Sequence, residues 1–66
     1  MTNRTIYTLS VDKTGAAYDR EFSDLSKAIG VADHEFHTNK ANEVTVYHYT
    51  NGGANQYVDF HLERNA

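Results

Sequence analysis

"LSKAIGVADHEF", residues Leu25–Phe36, is the stretch on which the fold turns, because its spacing fits two architectures. As a helix-turn-helix, Leu25 and Ala28 pack a first helix, Gly30 makes the turn, Val31 enters the core and Phe36 anchors a recognition helix. As a helical segment roofing a sheet, Leu25, Ile29 and Phe36 form its underside. Three observations favour the sheet. "ADHEFHTN" places Asp33 and Glu35 where a reader of DNA needs neutral or basic side chains. Only six scattered bases are available for phosphate contacts. The segment where a supporting helix belongs is instead "TIYTLSV", which is strand-like.

Within the stretch, Ser23 is the expected N-cap, Asp24 favours the positive helix end, and Gly30 is the natural residue just past the last turn. The spacing of Leu25, Ala28 and Ile29, extended by Phe22 and Ala32, predicts a helix over about residues 23–30. Asp33 then caps a second short helical turn through Phe36, before "TNKANE" breaks it.

Outward from this segment the chain reads as two hairpins. Thr5–Val11 alternates as a strand, "DKTG" supplies a glycine for the loop, and Ala16–Phe22 returns as a charged edge strand. "EVTVYHYT" (Glu43–Thr50) and "NQYVDFHLE" (Asn55–Glu63) are the clearest strands, joined by "NGGA". A three-residue loop, Asn51–Gly53, places Val44 opposite Phe60, Val46 opposite Val58, Tyr47 opposite Tyr57 and Thr45 opposite Asp59. One face (Val44, Val46, Val58, Phe60, Leu62) then receives the helix, and the other displays Tyr47, Tyr49, Tyr57, Asp59 and His61. The expected fold is α+β: one antiparallel sheet of three to four strands, hairpin–helical segment–hairpin, with the helix on one face. The 66 residues make a single small domain.

Charge and chemistry narrow the function. The formal charge is −3, from nine acids against six bases. Asp19, Glu21, Asp24, Asp33 and Glu35 crowd one segment opposed only by Arg20 and Lys27, so its local field repels phosphate and attracts a basic partner. A solvated helix face kept acidic for solubility is the competing account of that run. Cross-strand tyrosines likewise serve either an interface or the sheet itself.

There is no cysteine and no serine in a glycine elbow, and Asp12, Asp19 and Asp59 are not placed around a pocket by anything in the sequence. An enzyme is not expected. His34 and His37 share a helix face, but two ligands do not make a metal site, and His48 and His61 fall on opposite sheet faces. No metal or cofactor is expected. The first ten residues lack the apolar core of a secretory signal, and no apolar run approaches the roughly 20 residues of a membrane span, so a cytoplasmic protein is expected.

From "NRTIYTLSVDKTG" to "YVDFHLERNA", the chain resembles the small phage-encoded anti-CRISPR proteins, in particular inhibitors of type I effector complexes. That group shares no common motif, so no residue role is carried over from it. The resemblance implies a bacterial host and, as partner, a CRISPR effector complex whose basic nucleic-acid-binding groove is blocked by acidic side chains. The expected contacts are Asp19, Glu21, Asp24, Asp33, Glu35, Tyr47, Tyr49, Tyr57 and Asp59, in a monomer or weak homodimer. The alternatives are a DNA-binding regulator using residues 25–36 with the last hairpin as a wing, and an enzyme subunit or small structural protein that pairs two copies through its open sheet edges and exposed tyrosines.

Overall fold

A computed structural model describes residues 4–64. Among these residues, four strands and one α-helix run in the order β1 (Tyr7–Lys13), β2 (Ala16–Phe22), α1 (Leu25–His37), β3 (Glu43–Thr50) and β4 (Asn55–Glu63). The strands form one antiparallel sheet, β2-β1-β3-β4, with α1 packed against one face. The fold is therefore α+β, as the alternation predicted. Among the described residues no helix is long and apolar enough to cross a membrane.

The first hairpin is tighter than "DKTG" implied. Asp12 and Lys13 belong to β1, and the chain reverses on Thr14-Gly15 alone, with Lys13 opposite Ala16. Gly15 has φ 79°, the left-handed region that glycine enters without steric cost. β2 is the expected edge strand, and its charged Asp19-Arg20-Glu21 run discourages pairing with another sheet.

The helix departs from expectation in two ways. Its cap is Asp24 rather than Ser23: Asp24 keeps an extended backbone and its carboxylate accepts the Ser26 N–H at 2.9 Å. It also runs unbroken through Gly30 to His37. Glycine costs a helix interior up to about 1 kcal/mol, but here Ala28, Ala32 and Phe36, spaced four apart, are all buried against the sheet. Continuing the helix seats Ala32 and Phe36, and that burial outweighs the propensity penalty. Leu25 and Ile29, expected as the underside, are half-buried flanks. One continuous helix leaves no turn between two helices, so residues 25–36 do not form a helix-turn-helix.

Past α1 the chain bends at Lys40, which has φ 62°, and buries Ala41. Arg64 fastens this end. Its Nε donates to the Ala41 carbonyl at 3.1 Å, its guanidinium donates to the Phe36 carbonyl, and it lies 4.1 Å from the Phe36 ring. A cation on the last carbonyls of a helix also complements the helix dipole. Leu9, Val11, Val44 and Val46 complete the core from the two central strands.

The second hairpin has a different register from the expected one. The loop is four residues long, with Thr50 opposite Asn55, and Asn51, Gly52 and Gly53 all have positive φ. Tyr47 pairs with Val58 and His48 with Tyr57, but Val46 pairs with Phe60 and Val44 with Leu62. Asp59 is the extra residue of a β-bulge at that shift. An even loop alone would set Val46 against Asp59. Inserting Asp59 as an unpaired residue restores valine against phenylalanine and leucine in the core. Beyond the bulge the faces are exchanged relative to the expectation. Val58 is 52% exposed rather than in the core, and Tyr57 lies on the helix side with His48.

Candidate functional site

The sheet has one covered and one open face, and strand parity assigns each side chain. Leu9, Val11, Val44 and Val46 face α1. Their neighbours in the strands face away: Thr8, Ser10 and Asp12 on β1, with Glu21, Asp19 and Ala17 as their β2 partners. Glu43, Thr45, Tyr47 and Tyr49 of β3 and Val58, His61 and Glu63 of β4 extend the same surface.

Its charge is one-sided. Asp12, Asp19, Glu21, Glu43 and Glu63 all lie on the open face, whereas the only Lys and Arg within the strands among the described residues, Lys13 and Arg20, lie on the other. Lys13 is drawn to the helix by Glu35 at 2.8 Å, and Arg20 sits opposite buried Leu9 with its guanidinium 4.8 Å from the Phe22 ring. Arg4, just before β1, is the base that borders the open face. It lines an open groove of about 630 Å³ with Ile6, Thr8, Glu21, Tyr49 and the Asn51–Gly53 loop.

The open face is also polarised along the strands. Near the β3–β4 loop it is apolar and aromatic: Tyr49 is 55% and Ile6 43% exposed, and Tyr47 meets Tyr49 edge-to-face at 5.7 Å between centroids. Burial, then the neighbouring Tyr49 and Asp19, raise the Tyr47 phenol above its ordinary pKa. At the far end Asp12, Glu43 and Glu63 stand in one row across three strands, with His61 Nε2 2.8 Å from Glu43 Oε2.

The expected contact residues do not form one surface. Asp19, Glu21, Tyr47 and Tyr49 share the open face. Asp24 is spent on the helix cap, and exposed Asp33 lies 3.3 Å from His37 on α1. Glu35 is the busiest carboxylate: it pairs with Lys13, accepts the Tyr18 hydroxyl at 2.7 Å and accepts the Asn39 amide at 3.2 Å. The Lys13 and Tyr18 contacts hold the Glu35 carboxyl down at a pKa of about 2 against an ordinary 4.5. Burial and the Glu35 charge push the Tyr18 phenol up to about 12. Glu35 thus joins the helix to the first hairpin.

Tyr57 and Asp59 also leave the open face. Asp59 Oδ2 lies 2.7 Å from His48 Nδ1, and the His48 ring stands between Tyr7 and Tyr57 at 5.3 and 5.4 Å between centroids. The bulge aims the Asp59 carboxylate at the half-buried imidazole.

Sequence reasoning weighed Asp12 only as an isolated carboxylate and did not single out Glu43 or Glu63. They are far apart in the chain, and only the pairing of β1 with β3 and β3 with β4 brings them together. Comparison with protein-family models, with curated proteins and with solved structures finds no match for the chain.

Proposed function

We propose that the protein is a binding inhibitor that docks its open sheet face on a basic nucleic-acid-binding groove of a larger protein. The observation that carries this reading is the segregation of charge: carboxylates on the open face, and the strand bases turned to the helix side. A groove built for phosphate presents Lys and Arg at close spacing, and a rigid carboxylate array complements it. The Tyr47, Tyr49 and Ile6 end supplies the aromatic and apolar contact that a charged array lacks. Inhibition follows from occupancy: target DNA and the sheet compete for the same cations, and no bond is made or broken. The resemblance to phage-encoded anti-CRISPR proteins makes a type I CRISPR effector complex in a bacterial cytoplasm the partner to test first.

The test measures target-DNA binding by such a complex in the presence of the purified protein. Reversing Asp19 and Glu21 together to Lys is expected to weaken inhibition at least about tenfold, and raised salt to weaken it further. Asp33→Lys, on the helix, is expected to change it less than about twofold. Full inhibition by the Asp19/Glu21 variant, or loss of it in Asp33→Lys, overturns the open-face assignment. A salt-sensitive gel shift of duplex DNA by the protein alone overturns the inhibitor reading in favour of a DNA-binding regulator.

A further inference from the structure

Glu43, His61 and Glu63 converge at the acidic end of the open face. We infer that this triad is a binding site for one divalent transition-metal ion of the zinc type. Glu43 and Glu63 also belong to the open-face carboxylates of the docking reading, but the inference concerns only what these three side chains hold.

Register brings the ligands together. Glu43 and Glu63 are direct partners across β3 and β4, and His61 stands two residues before Glu63, hence on the same face. One donor atom from each of the three lies within 4.8 Å of the others. His61 Nε2 is 2.8 Å from Glu43 Oε2 and 3.9 Å from Glu63 Oε1. Zinc bonds of about 2.0–2.1 Å at tetrahedral angles set neighbouring donors about 3.3 Å apart. The two His61 separations straddle that value, and the Glu43 and Glu63 donors lie within 4.8 Å of one another. The backbone is already held by the strand ladder.

Charge supplies the reason for a cation. Two glutamates directly opposite one another repel, and Asp12, the β1 partner of Glu43, adds a third carboxylate to the row. The strands place neither Lys nor Arg on this face, and the His61–Glu43 contact engages one oxygen. A divalent ion takes the place of the Nε2 proton and draws both glutamates inward. The imidazole selects the metal class: magnesium and calcium favour shells made of oxygen, whereas a nitrogen with carboxylates suits zinc and its neighbours. Three protein ligands leave the fourth position to water.

The test titrates zinc chloride, and magnesium chloride in parallel, into the whole chain by calorimetry. One zinc per chain is expected, with His61→Ala and Glu63→Gln each weakening it at least about tenfold. His37→Ala, at an exposed histidine on α1, is expected to leave zinc affinity within about twofold. Zinc is also expected to raise the thermal midpoint of the unaltered chain and not that of His61→Ala, because the folded state alone presents the triad. Glu63→Gln keeps the imidazole and so tests the site even if His61→Ala lowers stability. Zinc affinity that survives both substitutions, that follows His37 instead, or that magnesium equals overturns the site. Calorimetry on the chain alone reads zinc at Glu43, His61 and Glu63, whereas the inhibition assay reads Asp19 and Glu21, so failure here is distinguishable from failure of the docking reading.

Discussion

The two faces of the sheet are made from the same strands and obey opposite rules. On the covered face each residue is fixed by what it packs against: Leu9, Val11, Val44 and Val46 are at most 1% exposed. On the open face the alternate positions carry hydroxyls, tyrosines and carboxylates with nothing above them. A domain this small buries only about 60% of its unfolded surface, and the fully buried side chains of its strands all lie on one side. The other side is left free to hold charge. The covered face therefore carries stability, and the open face carries most of the carboxylates of the strands.

Truncation on the two faces gives the largest contrast. Leu9→Ala removes a fully buried side chain between the helix and the centre of the sheet, and is expected to cost about 2–5 kcal/mol in denaturant unfolding. For a domain of marginal stability that is enough to unfold much of the population. Its next neighbour on the strand, Ser10, faces outward, and Ser10→Ala is expected to stay within about 0.5 kcal/mol. Comparable losses at both positions would break the distinction between the faces.

A charge on the covered side gives the next effect. Glu35 is held at a pKa of about 2 by Lys13 and Tyr18, below its ordinary 4.5. Because the folded pKa is the lower one, its stabilising contribution is complete above about pH 4.5 and is lost as pH falls toward 2. Glu35→Gln is expected to cost on the order of 1 kcal/mol near neutral pH, after allowing for the partial exposure of Lys13. The gap between the two proteins should close as pH falls through that window. A gap that stayed constant to pH 2 would mean the Lys13 and Tyr18 contacts do not act through the carboxylate charge.

This contrast also explains which features were legible in the sequence. Period-2 alternation in "YTLSV" and "EVTVY" marks the covered face, because burial repeats with the strand. The open face has no such signature. Asp12, Glu43 and Glu63 become neighbours only through pairing between strands distant in the chain, and a linear charge count pointed instead to residues 19–35. That run splits between the open face and the helix side. The register of the second hairpin was hidden for a related reason. Parity arguments assume a regular ladder, and Asp59 is an unpaired extra residue whose insertion exchanges the faces of Val58 and Tyr57 relative to the core pairs. The grouping of His61 with Glu43 and Glu63 was hidden likewise, since His61 was weighed only against the other histidines and not against carboxylates on the paired strand.

The smallest effect lies on the outside of the roof, at Gly30, and its sign is more informative than its size. A glycine that ended a helix at a positive φ would make Gly30→Ala destabilising by about 1–2 kcal/mol, because a Cβ clashes in the left-handed region. In this fold Gly30 is inside α1, exposed, without a positive φ, and a Cβ built there meets nothing within 4 Å. Alanine then contributes its better helix propensity and a smaller unfolded-state entropy, so Gly30→Ala is expected to stabilise by about 0.5–1 kcal/mol. A denaturation midpoint that rises without a change in slope would support one helix from Leu25 to His37. A midpoint that falls would restore a break at Gly30, and with it the two-helix reading of "LSKAIGVADHEF".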